Sequence, residues 1–165
     1  MFTKFTIPFW KLLTYNCARS LEYNSNVWNS THKYLIDKIE NVQRQFTKRI
    51  TSISHLTYLE RLSILELEPL ELRRLRFDLI QYYKIFNNLT PLIYSNCFMC
   101  HQPSFSSRNP SSFIIKPLSI PNYLLTSFFY RSVDCWNSLP SVLKQANSLN
   151  VFKKKVVNCW FCLNF

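Results

Sequence analysis

The stretch PLELRRLRFDLIQYYKIFNN, residues 69–88, sets three arginines within four positions between carboxylates on one side and a run of aromatics on the other. At 100° per residue, Leu72, Leu75, Leu79, Tyr82, Tyr83 and Phe86 fall within one arc of about 100°, the apolar stripe of a helix that faces a core. Pro69 suits the first turn of that helix, and Asn87 and Asn88 can close it in the left-handed conformation before Pro91. Arg74 lies four residues before Asp78 and three after Glu71, spacings that neutralise it within its own helix. Arg73, Arg76 and Lys84 occupy the remaining surface with Phe77 and Ile80 between them. Solvation alone does not require those two apolar residues, so this second surface is expected to contact something as well. Two readings of its cations stay open: they are solvated or paired with neighbouring helices, or they meet the phosphate backbone of RNA or DNA.

Outward from this helix, Leu35, Ile36, Ile39, Val42, Phe46, Ile50 and Ile53 recur at helical spacing, with Glu40 and Arg44 paired on the opposite face. Thr57 followed by Glu60 forms a capping box, which starts a second helix at about residue 58. Beyond residue 90, Pro91, Pro103, Pro110, Pro117 and Pro121 forbid a long helix, and SFIIKPL suits a short strand. Helical spacing returns through Phe129, Val133 and Trp136; Pro140 starts a short helix, and Ser148 caps a final one. The fold class expected is therefore mainly α: a small helical bundle, a proline-broken irregular segment and one or two C-terminal helices. The expected divisions are a lead-in at residues 1–32, the bundle at 33–90, the irregular segment at 91–125 and a helical segment at 126–165, all within one domain, which suits 165 residues.

The chain holds 20 Lys and Arg against 9 Asp and Glu, a formal net charge of +11, and after Asp78 only Asp134 opposes eight bases. A field of that sign favours phosphate backbones or anionic surfaces. The chain has no glycine, which excludes Gly-rich phosphate loops and nucleophile elbows. A two-metal polymerase or nuclease needs clustered carboxylates, yet Asp37, Asp78 and Asp134 are scattered, and His32, His55 and His101 sit in no nucleophile motif. No catalytic residue and no cofactor is expected.

Cys97 with Cys100 and Cys159 with Cys162 form two CxxC pairs, the first running on into His101. Four thiolates could hold zinc and make the chain a zinc-stabilised interaction module, but 58 residues separate the pairs, well beyond ribbon spacing. Reduced, half-buried thiols in an intracellular protein, cytoplasmic or nuclear, are the preferred reading. No apolar run reaches the length of a membrane span, so no membrane partner is expected.

Read in order, ARSLEYNSNVWNS, IDKIENVQRQFTKRI, LTYLERLSILELEPLELRRLRFDLIQYYKI, SSRNPSSF and FFYRSVDCWNSLPSVLKQANSLNVFKKKV span roughly residues 12–157. Their order and spacing resemble the region C-terminal to the polymerase core in the reverse transcriptases of non-LTR, LINE-type retrotransposons. The blocks that carry the resemblance are Leu21-Glu22-Tyr23 with Trp28, Glu40 through Arg44, Tyr58 with Glu60-Arg61-Leu62, Arg73-Arg74 with Asp78-Leu79, and Trp136-Asn137-Ser138-Leu139-Pro140.

The resemblance implies a thumb-side helical tail that helps hold template RNA and target DNA against a reverse transcriptase core. The family's Tyr-x-Asp-Asp motif does not occur in this chain, Asn109 stands where Arg-Gly is frequent, and Met1 falls inside the similar region. A truncated element copy is the expected origin. Its expected role is noncatalytic nucleic-acid binding through Arg44, Lys48, Arg73, Arg76, Lys84, Lys153, Lys154 and Lys155. The alternative to both this role and the zinc module is a remnant with no molecular activity.

Overall fold

The computed structural model describes residues 16, 19–92, 99–100, 114–116, 119 and 121–160. The protein is mainly α-helical and divides into two compact units, Met1–Arg74 and Leu75–Phe165. The boundary falls inside the helix that the opening stretch predicts.

In the first unit, α1 (Ser25–Trp28) is followed by α2 (Lys33–Lys48), a 3-10 turn (Thr51–Ile53) and α3 (Tyr58–Leu65), and α4 (Leu70–Phe86) begins here. The apolar spacing that carries α2 runs on to Ile53, but the helix stops at Lys48 because Ile50 turns extended. That turn sends Ile50 and Ile53 into a small cluster with Leu65, flanked by Leu56 and Leu67. The capping box forms as its sequence predicts: the Glu60 carboxylate accepts from the Thr57 backbone N–H at 2.8 Å, and Thr57 Oγ1 accepts from the Glu60 N–H at 3.4 Å. α3 closes on Glu66 in the left-handed region, φ 51°, while the Leu67 N–H reaches back to the Leu62 carbonyl at 2.9 Å.

Glu40 corrects the expectation of an outward pair with Arg44. It is only 7 % exposed and turns inward, where the Tyr58 hydroxyl donates to it. The backbone N–H groups of Leu70 and Glu71 also donate to its carboxylate, each at 3.3 Å. Those are orphan donors of a helix N-terminus, so a carboxylate from α2 caps α4 and sits at the positive end of its dipole.

Gln43 ties the same seam, donating to the Tyr58 hydroxyl oxygen at 3.2 Å and to the Glu68 carbonyl at 3.1 Å. Arg61 is buried beside it, donating to Thr47 Oγ1 at 3.2 Å and to the Leu56 carbonyl at 2.5 Å.

In the second unit the remainder of α4 buries Leu79, Tyr82 and Tyr83 of the expected arc, and also Ile80 and Ile85. Of the two apolar residues that suggested a second contact surface, Ile80 is buried and Phe77 is exposed, so that surface forms only in part. The unit also holds a two-residue antiparallel ladder, β1 (Met99–Cys100) with β2 (Ile114–Ile115), and a series of helices: α5 (Asn122–Leu125), α6 (Phe128–Arg131), α7 (Val133–Ser138), α8 (Ser141–Lys144) and α9 (Leu149–Trp160).

The continuous spacing through Phe129, Val133 and Trp136 therefore covers two helices, interrupted at Ser132 with φ −110°. The interruption serves Asp78, which is buried on α4. Arg131 donates to its two carboxylate oxygens at 2.7 Å each, and the Ser132 hydroxyl donates to it at 2.9 Å.

Aromatic rings build the rest of this core. Trp136 stacks face to face on Phe86 with centroids 5.2 Å apart and meets Tyr82 edge-on, while Tyr83 stacks on Phe152 at 4.3 Å. Each buried phenol finds an acceptor, Tyr82 the Phe128 carbonyl at 2.8 Å and Tyr83 the Ala146 carbonyl at 2.5 Å.

The Trp136–Pro140 block is structural throughout. Trp136 and Leu139 are core, Pro140 precedes α8, and the Asn137 amide brackets Ile114, accepting from its N–H at 3.0 Å and donating to its carbonyl at 2.9 Å.

Candidate nucleic-acid interface

Of the cations expected to meet phosphate, those on α2 and α9 are held outward by local structure. On α2, Glu40, Gln43 and Thr47 are buried, while Arg44 at the edge of that face and Lys48 farther round the helix are exposed. The Arg44 guanidinium lies 5.1 Å over the Tyr58 ring, which orients it while leaving its donors to solvent. Arg49, next to Lys48 and also exposed, stands outside the expected set; its adjacency to Lys48 at the end of the helix is the available signal.

On α9, Phe152 and Val156 are both buried and lie four positions apart, one turn of helix. Lys153, Lys154 and Lys155 between them are all exposed.

The cations of α4 are placed differently. Arg73, expected on the phosphate-facing surface, is held in an ion pair with Glu22 at 2.7 Å, with the two side chains only 11 % and 3 % exposed. A guanidinium so enclosed beside a carboxylate has its charge met inside the unit, so Arg73 is withdrawn from that surface. Arg74, expected to be neutralised by the acids of its own helix, is buried and donates from Nε to Asn29 Oδ1 at 3.0 Å. Arg76 and Lys84 are half-buried.

Burial and its neighbours shape the titratable groups around these positions. Burial, reinforced by the Glu40 carboxylate, pushes the Tyr58 phenol far above its ordinary range. Burial and then Asp78 do the same to Tyr82. Burial holds Lys144 below the usual lysine value, and its ammonium donates to the Asn137 carbonyl at 3.1 Å. Burial, then Asp134, raises the half-buried Cys135 thiol, which makes it a poorer nucleophile than an exposed cysteine.

The side chains of all four expected zinc candidates, Cys97, Cys100, Cys159 and Cys162, lie outside the described residues. Among the described residues no group of three or more His, Cys, Asp or Glu could hold a metal ion, and no helix is long and apolar enough to cross a membrane. No family model, no curated protein and no solved structure matches the chain.

Proposed function

We propose that the chain is a noncatalytic nucleic-acid-binding segment of the kind found behind the polymerase core in non-LTR retrotransposon reverse transcriptases, and that it holds phosphate backbone rather than transforming it. One observation carries this reading: a basic chain divides its cations by role. Arg73 and Arg131 are spent on buried carboxylates, whereas Arg44 and Lys48 on α2 and Lys153, Lys154 and Lys155 on α9 stand exposed on helices anchored by other, buried positions. Three consecutive exposed lysines with no acid among them repel one another, and a polyanion relieves that repulsion. Exposed apolar side chains such as Val27 and Leu59 suit a further contact with a polymerase core on another polypeptide.

A filter-binding titration against single-stranded RNA and duplex DNA across a salt series tests the reading. Affinity is expected to fall with salt, with a log–log slope of about −0.9 per contacted phosphate on duplex and about −0.7 on single strands. Replacing Lys153, Lys154 and Lys155 together with alanine is expected to flatten that slope by about two to three. Binding indifferent to salt refutes the reading.

A further inference from the structure

The exposed face of α2 carries more than cations. Tyr34, Lys38, Asn41, Gln45 and Arg49 recur at four, seven, eleven and fifteen positions from Tyr34, and therefore form one stripe about 22 Å long. At one end the Tyr34 ring is 61 % exposed, with the Lys38 ammonium 5.6 Å from its centroid and the His32 ring 6.2 Å away. At the other end a hollow of about 290 Å³ opens, lined among the described residues by Asn41, Val42, Gln45, Phe46 and Arg49.

The lining is chemically mixed in a specific way. Val42 and Phe46 are its apolar members, Asn41 and Gln45 bring amides with both donors and acceptors, and Arg49 brings a guanidinium. Asp37, the acid on this face, is met by Lys33 at 3.8 Å, so the stripe remains cationic.

Apolar side chains with amides and a guanidinium beside them suit a nucleobase with its phosphate, and an exposed ring beside a lysine suits a second base. Duplex DNA or RNA keeps its bases stacked inside and could use only the cations.

We infer that the α2 face is a single-strand binding strip, one base seated in the Phe46 hollow and another stacked on Tyr34. This inference rests on the nucleic-acid reading above and names its substrate class. The strand's phosphates lie against Lys38 and Arg49, and its bases supply the preference over duplex.

Fluorescence anisotropy of the full chain tests it with three probes: a single-stranded RNA oligonucleotide, its duplex, and an abasic strand of the same length. The base-bearing strand is expected to bind roughly tenfold or more tighter than the abasic one. Tyr34→Ala is expected to lose roughly tenfold on the strand and nothing on the duplex, and Tyr34→Phe to retain full binding. Gln45→Glu, isosteric and exposed, places a carboxylate at the hollow and is expected to weaken the strand complex. Both positions are solvent-facing, so the helical circular dichroism of each variant should match the parent. Equal, salt-sensitive binding of the base-bearing and abasic strands overturns the strip and leaves phosphate binding standing. Failure of every probe to bind at low salt overturns both.

Discussion

The two units are held together by opposite means. The first relies on a polar seam: Glu40, Gln43, Tyr58 and Arg61 exchange hydrogen bonds between α2, α3 and the start of α4, beside a small apolar cluster with three buried members among the described residues. The second relies on area: Tyr82, Tyr83, Phe86, Trp136 and Phe152 pack their rings together, and its one buried ion pair, among the described residues, joins Asp78 to Arg131. The contrast teaches where specificity comes from in each. Polar partners dictate which groups must meet, because an unmet buried donor is costly, whereas aromatic burial supplies stabilisation that depends on volume.

The contrast can be broken most directly at Trp136. Trp136→Ala removes the ring on which Phe86, Tyr82 and Phe152 converge, and urea unfolding followed by far-ultraviolet circular dichroism should show a loss of about 3–5 kcal/mol. A loss below about 1 kcal/mol would mean that ring burial does not sustain the second unit.

Glu40→Gln sharpens the other side. It keeps the shape of the side chain but weakens acceptance from Tyr58 and from the two N–H groups of α4, and the same measurement should show a loss of about 1–3 kcal/mol. No change would reduce the seam to incidental contact.

The smallest effect belongs to the capping box, where Thr57→Ala should cost about 1 kcal/mol. The hydrogen bonds from Thr57 hold the Glu60 carboxyl below its ordinary range. A depressed carboxylate stabilises the fold above its unfolded pKa, and the contribution disappears as pH falls through the folded value. The gap in melting temperature between Thr57→Ala and the parent should therefore narrow on acidification; a gap that widens contradicts the assignment.

What could be read from the sequence was whatever is local. α2, α3 and α4 follow from apolar spacing, and the Thr57–Glu60 cap and the left-handed Asn88 at the end of α4 follow from residue type over a few positions. Long-range partners could not be read. Glu40 meets Leu70 across 30 residues, Arg73 meets Glu22 across 51, and Asp78 meets Arg131 across 53, so rules of three and four positions assigned nearer partners to Glu40 and left Arg73 on the surface. The same limit divides the candidate interface. Lys153, Lys154 and Lys155 stand out in the sequence as three consecutive cations within a terminal helix. The stripe from Tyr34 to Arg49 is not marked by apolar periodicity, because that periodic face is made of amides, a phenol and cations.

The left-handed residues Asn24, Glu66 and Asn88 carry a further consequence. A side chain in that conformation costs roughly 1–2 kcal/mol in the native state, and glycine is the usual remedy. Glycine, however, also widens the range of shapes open to the denatured chain. A polypeptide without any glycine starts from a narrower denatured ensemble and surrenders less freedom when it orders. Part of the cost of these awkward turns is thus offset before folding begins, in a state where none of them yet exists.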